Sequence, residues 1–218
     1  MSLVMFDLDG TLVDTASLYL TGVPFVVDQV LGRRIDVADY MDLWGCDVRE
    51  WFARAAGDPA LPVIDDMYSV FERYYVLNHG GCPAYPGVAE GMARLDARGD
   101  VLGVVTTRPQ RRAELVREFP WGSSLSFVVG GDGVRRHKPA PDGLDFAIDR
   151  YGAGTATRIY VGDNASDMKA AKASRHSIVS VGALWGCRDG SGLLAADPDC
   201  SFTHFRDCAE WIASLTSP

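Results

Sequence analysis

Short runs of apolar residues recur along the chain, and each run ends in polar residues or glycine. Several are rich in Val and Ile without alternating polar positions, at residues 3–6, 101–105, 127–129, 159–161 and 178–181. Such runs are typical of strands that are covered on both faces. Helical periodicity lies between most of them, at about residues 87–98, 110–119, 141–151 and 166–175. The alternation predicts an α/β protein with a doubly wound parallel sheet.

One long stretch after Asp14 breaks this alternation. It contains no convincing strand, and its helical periodicity includes an aromatic stripe of the kind that usually packs in a core, formed by Tyr68, Phe71 and Tyr75. The chain leaves it through a segment with two prolines and a glycine, which is typical of a stiff, turn-rich connection. We therefore predict an all-helical domain at residues 15–83, inserted into a core domain made of residues 1–14 and 84–218.

Composition and charge exclude several classes of protein. With 218 residues and a hydrophobic fraction of 47%, the chain can bury a real core, so it is neither disordered nor a disulfide-stapled miniprotein. Its net charge of −8 repels nucleic acid and anionic membranes on average. Five cysteines without a close pair predict reduced thiols, and neither a signal peptide nor a membrane span is recognisable. We expect a cytoplasmic monomer or homodimer that binds neither nucleic acid nor membranes.

Two carboxylates follow the first predicted strand, in the sequence DLDGT. Asp7 and Asp9 are two positions apart, so they point the same way if the segment is extended. Like charges this close repel each other, and hard oxygen ligands of this type favour Mg²⁺. The alternative is a simple turn, because Asp-Gly is a common hairpin signal. The position directly after a strand favours the metal site.

Other polar residues stand where later strands end or helices begin. Thr106 and Thr107 offer hydroxyl and backbone N–H groups that can bind phosphate oxygens. Lys138 precedes a proline-rich helix start, and Asp163 and Asp167 could supply a metal ligand and a partner for that lysine. Simpler alternatives are a good strand residue for Thr106, a solvated side chain for Lys138 and a helix N-cap for Asp163.

The motifs DLDGTL, VVTT, KPAPD and GDNASD occur in this order and together resemble those of the haloacid dehalogenase-like hydrolase superfamily. The resemblance covers nearly the whole chain, and it implies a Rossmann-like core whose helical insertion is a cap domain of the first type. The run VGDNASDMKAAKAS and the later VGALWG resemble the branch of phosphoglycolate phosphatase and β-phosphoglucomutase. An enzyme that acts on a small phosphorylated metabolite is therefore implied.

The resemblance also implies a role for each matching residue. Asp7 matches the nucleophile that forms an aspartyl-phosphate, and Asp9 matches the general acid/base. The implied ligands of Mg²⁺ are Asp7, the backbone carbonyl of Asp9, and Asp163. The remaining matches hold the phosphoryl oxygens or, in the last case, position the lysine: Thr106, Thr107, Lys138 and Asp167.

Phosphomonoester hydrolysis is the reaction that these residues favour. Dehalogenase relatives lack the second acid, which is present here as Asp9, and phosphonate hydrolysis would need a cap lysine that residues 15–82 do not contain. A phosphosugar mutase of the β-phosphoglucomutase type needs the same Asp pair but usually carries Val where Thr11 stands, and a pyrophosphatase also fits the core residues. A binding module without activity would not be expected to keep the whole set.

Substrate selectivity is expected in the helical insertion. Gly45 and Asp47 predict the end of one helix and the N-cap of the next, which places Arg49 in the first turn of a helix. In relatives of this shape the corresponding loop faces the catalytic Asp pair, so Arg49 is a candidate for recognising the leaving group. The alternative is a surface arginine. Arg108 and His137 are near the site in sequence, and we expect both to be solvated.

Overall fold

The computed structural model describes residues 1–43, 47–58 and 62–215. The chain divides into two compact units. One consists of Met1–Asp14 together with the chain from Pro83 onward, and the other consists of Thr15–Cys82.

The larger unit is built on a parallel sheet. Its strands are β1 (Ser2–Phe6), β2 (Val101–Val105), β3 (Phe127–Val129), β4 (Thr157–Gly162), β5 (Val179–Ala183) and β6 (Cys200–Phe202). The described residues order them β3-β2-β1-β4-β5-β6, and every neighbouring pair is parallel. The chain therefore winds outward from β1 in both directions, which confirms the predicted doubly wound α/β fold. In sheets of this kind, ligands bind beyond the carboxyl ends of the strands where the order reverses, here between β1 and β4.

Helices cover both faces of this sheet and also make up the inserted unit. They are α1 (Ala16–Leu31), α2 (Val48–Ala56), α3 (Val63–Asn78), α4 (Val88–Ala97), α5 (Gln110–Ala113), α6 (Asp142–Tyr151), α7 (Ala165–Ala173), α8 (Gly190–Ala195) and α9 (Phe205–Ser214). All residues of β1 are buried because both of its faces are covered, which explains why its sequence does not alternate. None of the helices within the described ranges has both the length and the hydropathy of a membrane span.

Three elements were not predicted, namely β6, α8 and α9, and α5 is shorter than predicted. α9 carries the helical signal, because Phe205, Cys208, Ala209 and Ile212 follow an i, i+3, i+4, i+7 pattern and are all buried. β6 has only three residues, CSF, and so lacks an apolar run. The helix predicted at 110–119 is instead α5 followed by the 3₁₀ turn Glu114–Glu118.

The unit formed by Thr15–Cys82 contains helices and no strand among its described residues, as expected from its periodicity. Phe71 on α3 lies at the centre of its core. The ring centroids of Tyr19, Phe52 and Tyr75 lie 5.5, 5.9 and 6.4 Å from that of Phe71. At Phe71 and Tyr75 the aromatic stripe therefore packs in the core of this unit.

Candidate active site

The segments that follow β1 and β4 meet at the carboxyl edge of the sheet. Asp7 is the first residue after β1, and its amide donates to the Val161 carbonyl at 2.8 Å, which continues the pairing of the two strands. Asp163 is the first residue after β4. Gly10 has a φ of +78°, and a Cβ atom at this position would overlap the Asp163 carboxylate. Glycine therefore lets the loop after β1 pass close to Asp163.

Hydrogen bonds from distant parts of the chain fix this loop. The Thr11 hydroxyl donates to Asp163 Oδ1 at 2.9 Å. Trp185 Nε1, in the loop after β5, donates to the Thr11 carbonyl at 2.9 Å. The Tyr85 amide donates to the Leu12 carbonyl at 3.1 Å. The carboxylates on the loop are thus held in place by backbone and side-chain bonds rather than by local conformation alone.

Lys138 pairs with two buried carboxylates in the site. Its side chain is 8% exposed, and Nζ lies 2.9 Å from Asp7 Oδ1 and 2.5 Å from Asp167 Oδ1. Burial alone would lower the pKa of Lys138, but Asp167 and Asp7 outweigh it and raise that pKa well above its ordinary value. The alternative of a solvated lysine is therefore wrong.

Tyr160 is a member of the site that the sequence analysis missed. It lies within β4 and is fully buried. Its hydroxyl lies 3.0 Å from Lys138 Nζ and 3.1 Å from the Val105 carbonyl oxygen, to which it donates. Burial, reinforced by the charge of Asp167, raises the pKa of Tyr160 well above its ordinary value, so the hydroxyl stays neutral. The signal for it was a hydroxyl-bearing ring among the aliphatic residues of this strand.

Asp7, Asp163 and Asp167 each place one carboxylate oxygen so that all three lie within 4.8 Å of one another. Both oxygens of Asp167 are already engaged, because Oδ1 pairs with Lys138 and Oδ2 accepts from the Asn164 amide at 3.0 Å. Asn164 is the N-cap of α7, so the alternative of an N-cap at Asp163 is wrong. Asp7 and Asp163 remain as the carboxylates able to bind a further cation.

This cluster fits a hard divalent cation. Asp7 Oδ1 is buried and accepts no hydrogen bond among the described residues, although Lys138 Nζ is near. Burial and the charges of Asp167 and Asp7 raise the pKa of Asp163 well above its ordinary value. Carboxylates held this close repel one another, and their oxygens are the donors that Mg²⁺ prefers. A bound cation of this class would relieve the repulsion.

Thr106 and Thr107 lie where β2 ends. The Thr106 amide donates to the Val129 carbonyl at 3.0 Å, which ties this turn to the end of β3. Thr106 itself is buried, whereas Thr107 is exposed. The Thr107 amide donates no hydrogen bond within the part of the chain that the structure describes. It is therefore available to an oxygen ligand, and the binding of a phosphate oxygen at this turn stays a prediction.

Asp9 is held by an arginine whose environment the sequence analysis misjudged. Arg108 was expected to be solvated, but it is 7% exposed, and its Nε and Nη2 donate to the two carboxylate oxygens of Asp9. Burial and the charge of Arg112 lower the pKa of Arg108 to about 9, which leaves it a cation at neutral pH. His137 is exposed, as expected. An arginine directly after a buried strand was the available signal.

Arg49 begins its helix as predicted. The Asp47 side chain accepts from the Arg49 amide at 2.8 Å and caps α2. The Arg49 guanidinium pairs with Asp65 at 2.6 Å and lies 4.2 Å from the centroid of the Tyr68 ring. Gly45, the predicted end of the preceding helix, lies outside the described residues. Recognition of a leaving group by Arg49 stays a prediction, and Arg49 would have to leave or share Asp65.

Comparison with known proteins decides the family. A sequence model described as "Haloacid dehalogenase-like hydrolase" matches residues 4–181. The chain belongs to the haloacid dehalogenase-like hydrolase family. The resemblance that was inferred from the order of the motifs is confirmed, because the match spans β1 through most of β5.

Relatives within this family narrow the class of reaction. Phosphoglycolate phosphatases from Shigella dysenteriae and Escherichia coli K12 are 32% identical over 229 aligned residues, which cover 94% of this chain and 89% of theirs. These relatives confirm the predicted class, a phosphoric monoester hydrolase, and the predicted branch of the superfamily.

Solved structures show the same fold. A predicted phosphoglycolate phosphatase from Haemophilus somnus superposes with a TM-score of 0.83 at 23% identity, covering 97% of this chain and 98% of its own. A protein from Thermotoga maritima, provisionally named a β-phosphoglucomutase, superposes with a TM-score of 0.80 at 22% identity and covers 99% and 100% of the two chains. At these identities the likeness concerns the fold alone.

The variant Lys138→Met is expected to destabilise the core of this hydrolase. Asp7 and Asp167 would lose the buried cation that they share, and breaking a buried ion pair costs about 3–5 kcal/mol. The free energy of unfolding, measured by urea denaturation without divalent cations, should fall by that amount. The matched control is Lys172→Met, because Lys172 pairs with Asp197 at 2.8 Å on the surface. It should cost about 1 kcal/mol or less, and an equal loss for both variants would contradict the expectation.

Proposed function

We propose that this hydrolase is an Mg²⁺-dependent phosphatase that cleaves a small phosphomonoester through an aspartyl-phosphate intermediate. The observation that carries the proposal is the environment of Asp7. Its carboxylate is buried, one oxygen accepts no hydrogen bond among the described residues, and Lys138 and the Asp163 carboxylate flank it. A carboxylate in such a place is oriented and available for attack on an electrophile.

The first half of the reaction transfers the phosphoryl group to Asp7. A carboxylate oxygen of Asp7 forms a bond to phosphorus while the bond from phosphorus to the leaving oxygen breaks. Asp9 gives its proton to that leaving oxygen, which departs as an alcohol. In the second half, Asp9 takes a proton from a water molecule whose oxygen attacks phosphorus and releases Asp7 and inorganic phosphate.

Lys138, Thr106 and Thr107 support the phosphoryl oxygens in this proposal. The Lys138 ammonium offsets negative charge next to Asp7, and Asp167 and Tyr160 hold it in place. The Thr107 amide has no other hydrogen bond among the described residues, which favours its use by a phosphate oxygen. These donors are placed before the substrate arrives, so little reorganisation is needed.

Asp7, Asp163 and the backbone carbonyl of Asp9 would hold the cation. When bound, Mg²⁺ supplies positive charge that shields the phosphoryl group from the nucleophile and stabilises charge in the transition state. The Thr11 hydroxyl keeps Asp163 oriented for this role. Asp167, whose oxygens are both engaged, positions Lys138 and not the cation.

The substrate class that we favour is a phosphoglycolate-like compound or a sugar phosphate. The support is the name of the relatives at 32% identity, whose alignment covers 94% of this chain. A mutase is the alternative, and Thr11 argues against it. The cytoplasmic location and the state of monomer or homodimer stay predictions.

The test is an assay of inorganic phosphate release from 2-phosphoglycolate, hexose phosphates, nucleoside monophosphates, pyrophosphate and p-nitrophenyl phosphate. We expect release that EDTA removes and added Mg²⁺ restores, together with an acid-stable, hydroxylamine-labile phosphoprotein during turnover. Interconversion of hexose phosphate isomers without phosphate release would favour the mutase. Absence of Mg²⁺-dependent release from every substrate would contradict the proposal.

A further inference from the structure

Arg108 is a buried cation that the proposed reaction does not use. Its Nε and Nη2 face the two oxygens of Asp9, and the residue is only 7% exposed. Its backbone is tied down, because its amide donates to Thr106 Oγ1 at 3.3 Å and its carbonyl accepts from the Gly131 amide at 2.6 Å. The guanidinium is thus fixed beside the turn that ends β2, where we place the phosphate donors.

The pairing of Asp9 with Arg108 is incompatible with the proposed role of Asp9 as the general acid. An acid must carry a proton on one oxygen and turn that oxygen toward the leaving group. In the structure both oxygens of Asp9 accept hydrogen bonds from Arg108, so neither is placed to pass a proton to a leaving group. Asp9 must therefore give up at least one bond to Arg108 while substrate is bound.

The guanidinium would then lose the carboxylate that two of its nitrogens face. A buried charge that loses its partner is costly, whereas a new anion in the same place offsets that cost. The charge of Arg112, which is 5% exposed, also acts on Arg108. The negative charge of Asp7 acts in the opposite direction but more weakly than that of Arg112, so the position still favours an anion. The substrate is the species that can bring one at this step.

We propose that Arg108 exchanges the Asp9 carboxylate for a carboxylate on the leaving group, which makes it a specificity-determining residue for phosphorylated α-hydroxy acids. This inference rests on the proposed function, because it needs Asp9 as the acid. It names the substrate class of the same site and the residue that selects it.

The position of Arg108 limits where on the substrate the new anionic group can lie. Asp9 has to touch the ester oxygen, and Arg108 touches Asp9, so the new anion must lie within a few bonds of that oxygen. In a phosphorylated α-hydroxy acid, the carboxylate is attached to the carbon that bears the ester oxygen. Its two oxygens match the planar fork of arginine. A hexose phosphate presents neutral hydroxyls there and would not replace the carboxylate that Arg108 gives up.

The experiment compares 2-phosphoglycolate with 2-hydroxyethyl phosphate, which replaces the carboxylate by a neutral hydroxymethyl group. For the wild type we expect kcat/KM to be about 30-fold higher on 2-phosphoglycolate, which corresponds to about 2 kcal/mol at 1.4 kcal/mol for each factor of ten. Arg108→Met should bring the ratio of the two kcat/KM values close to one. Arg108→Lys should give an intermediate ratio, because it keeps the charge and loses the fork.

Arg111→Met is the matched control, because Arg111 is the exposed arginine of the same short helix, α5. Its ratio should equal that of the wild type. Equal losses on both substrates in Arg108→Met would overturn the inference, since Arg108 would then serve Asp9 alone. If Arg108→Met does not fold, the kcat/KM ratios of the wild type and of Arg108→Lys test the inference instead. A wild-type ratio near one overturns the inference.

The inference and the proposed function fail in different ways. Turnover of both substrates without preference for the carboxylate overturns the inference alone. Absence of Mg²⁺-dependent phosphate release from both compounds and from p-nitrophenyl phosphate overturns the proposed function, and the inference with it.

Discussion

Asp7→Asn abolishes turnover, by roughly 10⁴-fold or more, if Asp7 is the nucleophile, because loss of a nucleophile removes the covalent route altogether. An amide has nearly the shape of a carboxylate but cannot form an acyl phosphate. Lys138 keeps its second partner, Asp167, in this variant. The protein should therefore fold, and Mg²⁺-dependent phosphate binding should partly survive.

Steady-state rates and acid-quenched phosphoprotein give the measurement for Asp7→Asn. The phosphoprotein that forms in the wild type should be missing in the variant. The matched control is Asp132→Asn, because Asp132 is an exposed carboxylate beyond the end of β3 that caps the Gln110 amide at 2.6 Å. An amide oxygen can still accept that bond, so this control should keep its activity. A residual rate in Asp7→Asn above roughly a hundredth of the wild type would argue for direct attack by water, since the covalent step is worth several kcal/mol.

Asp9→Asn is expected to give a defect that depends on the leaving group. Loss of a general acid costs about 10²–10⁴-fold when the leaving oxygen needs a proton. An alkyl phosphate such as 2-phosphoglycolate needs that proton, whereas p-nitrophenolate leaves well without it. The loss on p-nitrophenyl phosphate should therefore be much smaller in the first, phosphoryl-transfer step.

Single-turnover rates separate that step for Asp9→Asn, because the same residue also activates water afterwards. The affinity for Mg²⁺ should change little, since Asp9 is proposed to bind it through the backbone carbonyl and not through the side chain. Equal losses on both substrates in the first step would reject the role as acid. The variant also frees Arg108 from a charged partner, so its stability should be measured alongside its activity.

Local patterns in the sequence predicted the central strands, the helical insertion and part of the candidate site. The runs of Val and Ile predicted the central strands because a strand covered on both faces needs apolar residues at every position. Two of the motif acids fell at strand ends because parallel strands bring their carboxyl ends to one edge, and the positions of Asp7 and Asp163 could therefore be predicted. The place of Lys138 followed only from the family resemblance. The helical insertion was recognisable because the apolar runs typical of strands give way to helical periodicity after Asp14. Among the helices, α9 carried a local signal that was overlooked.

The partners of the charged side chains were decided by the tertiary structure. Asp9 was predicted to point with Asp7 along an extended segment, but the chain bends at Leu8, and Asp9 pairs with Arg108, 99 positions away. Tyr160 joined the site because β4 lies beside β1 and carries its hydroxyl to Lys138. Whether an arginine or lysine is solvated depends on which distant segments of the chain cover it. The local sequence pattern contains no information about those segments. The sequence by itself therefore determined which chemical groups stand near the ends of the strands. The tertiary structure decided which of their charges are paired and which are buried.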